Sequence, residues 1–211
     1  MLDVDPDVRV CVLGDSFTGG VGDPTGAGWV GRVAAAARRS GWELTVYGLG
    51  VRRDTSVDVA RRWLAETEWR LRNGDRYGVV LAVGLNDVVL EGGHPRVPRE
   101  RSLAAVAEVV DGASARGWPV LVVGPPPVSD AVESARAADL SAGLASACAA
   151  RAVPFVDATG LAGDPVWVAE VGAGDAYHPS TRGYARLAAL VRPVFEQWLG
   201  EQVAPSSREV S

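Results

Sequence analysis

The sequence predicts an α/β domain in which five parallel strands form one sheet covered on both faces by helices. Three observations carry that prediction. Short apolar runs, rich in valine and bounded by Gly or Pro, recur along the 211 residues. Between them lie longer segments whose apolar residues follow helical spacing. The two kinds alternate from end to end, and right-handed crossovers between parallel strands then leave few topologies. The expected strand order is 2-1-3-4-5.

Val8-Arg9-Val10-Cys11-Val12-Leu13 opens the pattern as the first strand, apolar at all but one position and ended by Gly14. The helical segment Trp29–Arg39 leads to the second strand, Leu44–Tyr47, which stops at Gly48. Ser56–Leu71 is the second helix. Val79–Val83, set between Gly78 and Gly84, is the third strand and is followed by the helix Arg101–Ala115. Val120–Val123 lies between Pro119 and Gly124, and the helix Ala131–Arg151 carries the chain to the short run Phe155–Val156. The last helix, Thr181–Leu199, begins behind Pro179 and Ser180, which suit first-turn positions. Gly84–Pro98 and Gly160–Pro179 are long connections for a compact domain, and connections of that length are often functional. With no internal repeat, residues 1–200 read as one domain and the polar stretch 201–211 as a disordered tail.

A hydrophobic fraction of 47% beside 22% charged residues fits a globular protein with a full core. No apolar run reaches the roughly 18 residues of a membrane span. The acidic start, Met1-Leu2-Asp3-Val4-Asp5, lacks the basic and apolar regions of a signal peptide, so a cytoplasmic location is expected. All 21 basic residues are arginine, which excludes a lysine Schiff base, a Walker-type phosphate loop and a Ser-Lys dyad. A net charge of −5 argues against nucleic-acid binding. The pairs Arg38-Arg39, Arg52-Arg53 and Arg61-Arg62 read as solvated faces. Cys11 and Cys148 form neither a redox nor a zinc motif and read as small buried hydrophobes. Nothing in the sequence implies a metal or a cofactor.

Four segments stand out: Gly14-Asp15-Ser16-Phe17, a glycine turn ending at Gly50, Gly84-Leu85-Asn86-Asp87, and Asp175-Ala176-Tyr177-His178-Pro179. Together they supply a serine, a glycine N–H, an asparagine amide and an Asp/His pair, the parts that acyl transfer to water requires. Ser16, Gly50 and Asn86 follow the ends of the first three strands, which are neighbours in the expected order. Ligands of such sheets bind beyond the carboxyl ends of the strands, where the order reverses. Taken alone, Ser16 also reads as a helix cap or as part of a phosphate-cradling turn, and Asn86 as a turn residue. His94 is the alternative base, since Glu91 precedes it as Asp175 precedes His178; it lies in an exposed-looking loop, whereas Pro179 and Ser180 fix the backbone at His178. Asp87 reads as a loop-fixing partner. Trp167, on the connection leading to Asp175, is a candidate wall of a substrate pocket.

These four segments resemble the blocks of the GDSL or SGNH hydrolases, over roughly residues 8–200. Gly14-Asp15-Ser16-Phe17 is similar to the first block, Gly50 to the glycine of the second, Gly84-Leu85-Asn86-Asp87 to the third, and Asp175-Ala176-Tyr177-His178-Pro179 to the last. Gly48 stands where the second block often begins with Asn, and Arg52-Arg53 follow the turn. The resemblance implies a three-layer, flavodoxin-like α/β/α sandwich and hydrolysis of small-molecule esters or thioesters through an acyl-enzyme. Ser16 would be the nucleophile, His178 the base and Asp175 its partner, with the N–H groups of Ser16 and Gly50 and the amide of Asn86 as the oxyanion hole. Two rivals stay open: an acyltransferase using the same triad, and a non-catalytic binding module on a flavodoxin-like sheet.

Overall fold

A computed structural model of the chain describes residues 6–204. Its sheet contains β1 (Val8–Gly14), β2 (Leu44–Gly50), β3 (Arg76–Ala82), β4 (Val120–Val123) and β5 (Phe155–Val156). The strands lie in the order 2-1-3-4-5, every neighbouring pair parallel. Helices flank the sheet: α1 (Gly28–Arg39), α2 (Ser56–Glu68), α3 (Arg99–Ser114), α4 (Ala131–Ala149), α5 (Pro165–Ala173) and α6 (Thr181–Trp198). α1 packs on α6, α2 on α3, and α3 on α4. None of the described helices is long and apolar enough to cross a membrane.

β1 runs through the centre, so both its faces meet side chains and it is apolar almost throughout. Val8, Val10, Cys11, Val12 and Leu13 are all buried. Burial pushes the Cys11 thiol up to about 12 and that of Cys148 up to about 11, so both behave as packing groups. The register sets Gly14 opposite Gly50 on one side and opposite Ala82 on the other. The segments carrying Ser16, Gly50 and Asn86 therefore leave the sheet at one level and one edge.

Three helices owe their start to local capping. Thr55 and Asp58 form a reciprocal capping box on α2. Asp130 accepts the N–H groups of Val132 and Glu133 at α4, and Asp164 does the same for Val166 and Trp167 at α5. α5 occupies much of the connection that reads as a loop from sequence; the Asp164-Pro165 pair, a cap followed by proline in the first turn, marks it. The Gly84–Pro98 connection likewise holds one helical turn (Leu85–Val88) and a short hairpin pairing Leu90–Glu91 with His94–Pro95. At the other end, Leu199–Val203 forms a π-helical turn and Val203 is buried. This turn overlaps the first residues of the stretch 201–211 that reads as a disordered tail; 205–211 lie outside the described residues.

Asp23 ties the loop after β1 to the start of α6. Its carboxylate accepts from Thr25, from Gly28 N at 3.0 Å, from Arg32, and from Thr181 Oγ1 at 3.1 Å. Tyr184 Oη adds a 2.7 Å bond to the Val21 carbonyl. Between them Gly22, with φ +89°, passes so close to the segment leading into α6 that a Cβ there would lie 2.7 Å from the Pro179 carbonyl oxygen. Burial alone would raise the Asp23 carboxyl, but the bonds from Arg32, Thr25 and Thr181 outweigh it and hold it well below the usual range. The stability it contributes is thus present above the unfolded carboxylate value of about 3.9 and lost as pH falls through the lower folded value. Asp23→Asn should lower the free energy of unfolding at neutral pH by up to about 3–5 kcal/mol, because Arg32 loses its partner. Urea unfolding should show that deficit shrinking at acid pH; an equal deficit across the range would rule the ionised pair out as its source.

Candidate active site

Ser16 sits two residues beyond β1 in a turn closed by Gly19 N–H to the Asp15 carbonyl and Val21 N–H to the Ser16 carbonyl, each 3.0 Å. The end of β2 presses against this turn. A Cβ at Gly50 would lie 2.2 Å from Gly19 N and 2.6 Å from the Asp15 carbonyl oxygen, so only glycine fits there. Arg62 of α2 clasps both strand ends, donating from Nη2 to the carbonyls of Gly14 (2.9 Å) and Leu49 (3.1 Å). Its other nitrogens reach Asp54 and Glu66, each at 2.7 Å. Sequence reading places Arg61-Arg62 on a solvated face; Arg61 is exposed, but the Arg62 side chain is only 19% exposed and points to the sheet edge. Its position three residues after buried Val59, on the inward side of the helix, is the signal that was available.

His178 reaches the serine from the loop before α6. Nε2 lies 2.8 Å from Ser16 Oγ, and Nδ1 lies 2.7 Å from Asp175 Oδ2. A carboxylate accepts only, so the ring proton belongs on Nδ1 and the Nε2 lone pair faces the serine hydroxyl. The turn that makes this possible has Ala176 in the left-handed region at φ 70°. Asp175 Oδ1 thereby also receives the backbone N–H groups of Tyr177 (3.0 Å) and His178 (2.8 Å). Burial would raise the Asp175 carboxyl, yet bonds from the His178 backbone and ring hold it down at about 2. Asp175 is therefore ionised throughout the neutral range. Phe17 packs on the His178 ring, with centroids 4.8 Å apart.

Asn86 lies in the single turn after β3 and donates from Nδ2 to Asp15 Oδ2 at 3.0 Å. Asp15 Oδ1 accepts Phe17 N–H at 2.9 Å. Asp15 is buried, and that burial pushes its carboxyl up to about 7 against the lowering effect of these two bonds. Asp87, also fully buried, takes both the backbone N–H and the hydroxyl of Ser56 and so pins the Asn86 turn to the start of α2. This is the loop-fixing contact expected of it. Nothing in the sequence near Asp15 signals this role, because its partner is 71 residues away.

His94 stands exposed on the hairpin opposite Glu91, whose carboxylate pairs with Arg53 and Arg96. The geometry of Asp175 and His178 is not repeated there. Trp167 is buried, donates from Nε1 to the Pro127 carbonyl at 3.0 Å, and stacks on Phe17 with centroids 6.3 Å apart. It does wall a cavity of about 540 Å³, together with Pro125, Val128, Ala135, Val168 and Val171, but Ser16 and His178 are not among the lining residues. Its link to the serine is indirect, through Phe17.

The sequence model of the GDSL-like lipase/acylhydrolase family matches residues 12–186. No curated protein matches the chain in sequence. Among solved structures, the chain is similar to a lipase/acylhydrolase from Enterococcus faecalis (21% identity, TM-score 0.74, covering 94% of this chain and 98% of that one). It is also similar to the psychrotrophic esterase EstA from Pseudoalteromonas sp. (16%, 0.71, 91% and 98%). A third is a catalytic mutant of Axe2, an acetylxylan esterase from Geobacillus stearothermophilus (17%, 0.70, 92% and 96%). At these identities the likeness is one of fold.

The contact of Gly50 with the serine turn gives a direct check. Gly50→Ala should displace the turn, lowering stability by about 1–3 kcal/mol, the usual cost of overpacking. The Ser16–His178 contact should loosen with it, so that a serine-directed phosphonate reacts more slowly than with wild type. Unchanged melting and labelling in Gly50→Ala would show that the turn has room the geometry denies it.

Proposed function

The chain belongs to the GDSL-like lipase/acylhydrolase family, and we propose that it hydrolyses carboxylic esters or thioesters through a serine-bound acyl intermediate. The observation that carries this reading is the relay Ser16 Oγ–His178 Nε2 at 2.8 Å and His178 Nδ1–Asp175 Oδ2 at 2.7 Å. In the proposed reaction Ser16 Oγ attacks the carbonyl carbon as its proton passes to Nε2. Asp175, already ionised, stabilises the imidazolium without taking the proton. The carbonyl oxygen becomes an oxyanion received by the N–H groups of Ser16 and Gly50 and by the amide of Asn86. Collapse of the tetrahedral adduct releases the alcohol or thiol, which takes the proton back from His178. Water, deprotonated by the same Nε2, then attacks the acyl carbonyl and frees Ser16.

Seating the parts at the sheet edge, and not on a mobile loop, supports this assignment, since transition-state donors act without reorganising. The activities named for similar structures, an acylhydrolase, an esterase and an acetylxylan esterase, define the substrates worth trying: p-nitrophenyl esters of increasing chain length and acetylated xylo-oligosaccharides.

On the best of these substrates, Ser16→Ala and His178→Ala should each lower kcat by on the order of 10³-fold or more while leaving the melting curve cooperative. His94→Ala should stay near wild type. Asn86→Ala should lose about 10²–10³-fold in kcat with little change in KM, as expected for a donor that acts mainly in the transition state. Steady-state kinetics decide between the two histidines: if His94→Ala were inactive and His178→Ala active, the base would be reassigned.

A further inference from the structure

Resting on the esterase reading above, we infer that Asp15 is a positioning residue that fixes which end of the Asn86 amide faces the reacting carbonyl. An asparagine side chain can present either two N–H donors or a carbonyl oxygen, and the two ends have nearly the same shape. Turned the wrong way, Asn86 would offer a lone pair to a developing negative charge. Its orientation therefore has to be set by something it touches.

Asp15 is that partner. Its Oδ2 accepts Asn86 Nδ2 at 3.0 Å, and its Oδ1 accepts Phe17 N–H at 2.9 Å. As a carboxylate it can only accept, so it holds the NH₂ end of Asn86 toward itself and repels the carbonyl end. One Nδ2 hydrogen is used in that bond. The second has no acceptor among the described residues and remains free for a ligand. Because Asp15 immediately precedes Ser16, the amide is aligned with reference to the nucleophile's own backbone. Asp15 is only 3% exposed and its burial is costly, a cost the fold bears beside the nucleophile. An apolar side chain there would avoid that cost but leave the amide free to turn.

The test compares wild type, Asp15→Ala, Asn86→Ala and the double variant, all as the full chain, on p-nitrophenyl acetate. The pH is set at about 8.5, above the value of about 7 for Asp15, so that its carboxyl is ionised. Asp15→Ala should lower kcat by about 10²-fold, the scale for loss of one oxyanion donor, with KM changed less than about threefold. In the Asn86→Ala background the same substitution should cost less than about threefold, since its effect passes through the amide already removed. Wild-type kcat in Asp15→Ala would overturn the inference. So would a full second 10²-fold loss in the double variant, which would place the effect in the serine turn.

A spectroscopic readout stands apart from activity. The chain has only four side-chain amides, those of Asn73, Asn86, Gln197 and Gln202, so the ¹⁵N-detected NH₂ pairs can be assigned by substitution. In wild type one Asn86 proton should exchange with solvent much more slowly than those of Asn73, which sits in an exposed turn. Equally fast exchange would overturn the inference even if no Asp15 variant folds. Should wild type hydrolyse no ester in the series, the esterase reading falls, and the spectrum still decides the coupling of Asp15 to Asn86.

Discussion

The parallel register of β1 with both its neighbours is the constraint on which the rest depends. It sets Gly14 level with Gly50 and with Ala82, so three segments distant in sequence leave the sheet at one height. Close packing then does the remaining alignment. Gly50 touches the turn that carries Ser16, and Arg62 holds the carbonyls of both strand ends. A one-residue slip of β2 would move every one of these contacts and reverse which face each of its side chains meets.

Polar groups buried at this edge share one logic. Asp15, Asp23 and Asp87 are all buried, and each is bonded to a segment far from its own: Asp15 to Asn86, Asp23 to Thr181, Asp87 to Ser56. Acids taken out of water are costly unless donors surround them. Here the donors come from different connections, so satisfying the acids also fixes the connections relative to one another. The three carboxylates differ in what results. Asp23, with Arg32 as partner, is held ionised, whereas Asp15, with two amide N–H partners and no cation, is driven upward.

Much of this was legible in the sequence, and the reasons are particular. The strands could be read because a central parallel strand is buried on both faces and so is apolar at nearly every position, as in Val8–Leu13. Ser16, His178 and Asp175 could be read because their types are rare in combination and their neighbours set the local turns. At Gly50 the structure supplies a reason for glycine, the steric contact with Gly19, which no spacing reveals. α5 reads as loop in the sequence because its Gly-rich flanks hide the cap at Asp164. Arg62 and Asp15 were out of reach for a different reason: each acts on groups that only the folded sheet edge brings near. Trp167 walls a cavity, as its place on that connection suggests, and its stacking on Phe17 is a contact that only the fold reveals.

The serine and the histidine that meets it are separated by 162 residues, and the loop between Gly20 and Gly28 bonds to the first turn of the final helix. In synthesis from the N-terminus, the serine therefore leaves the ribosome long before its partner exists. A chain that stops short of residue 178 lacks both the ring that faces Ser16 Oγ and the α6 hydroxyl that Asp23 accepts. The Ser16–His178 and Asp23–Thr181 contacts therefore wait on the final helix, and the first loop of the chain takes its finished shape only after the last helix is made.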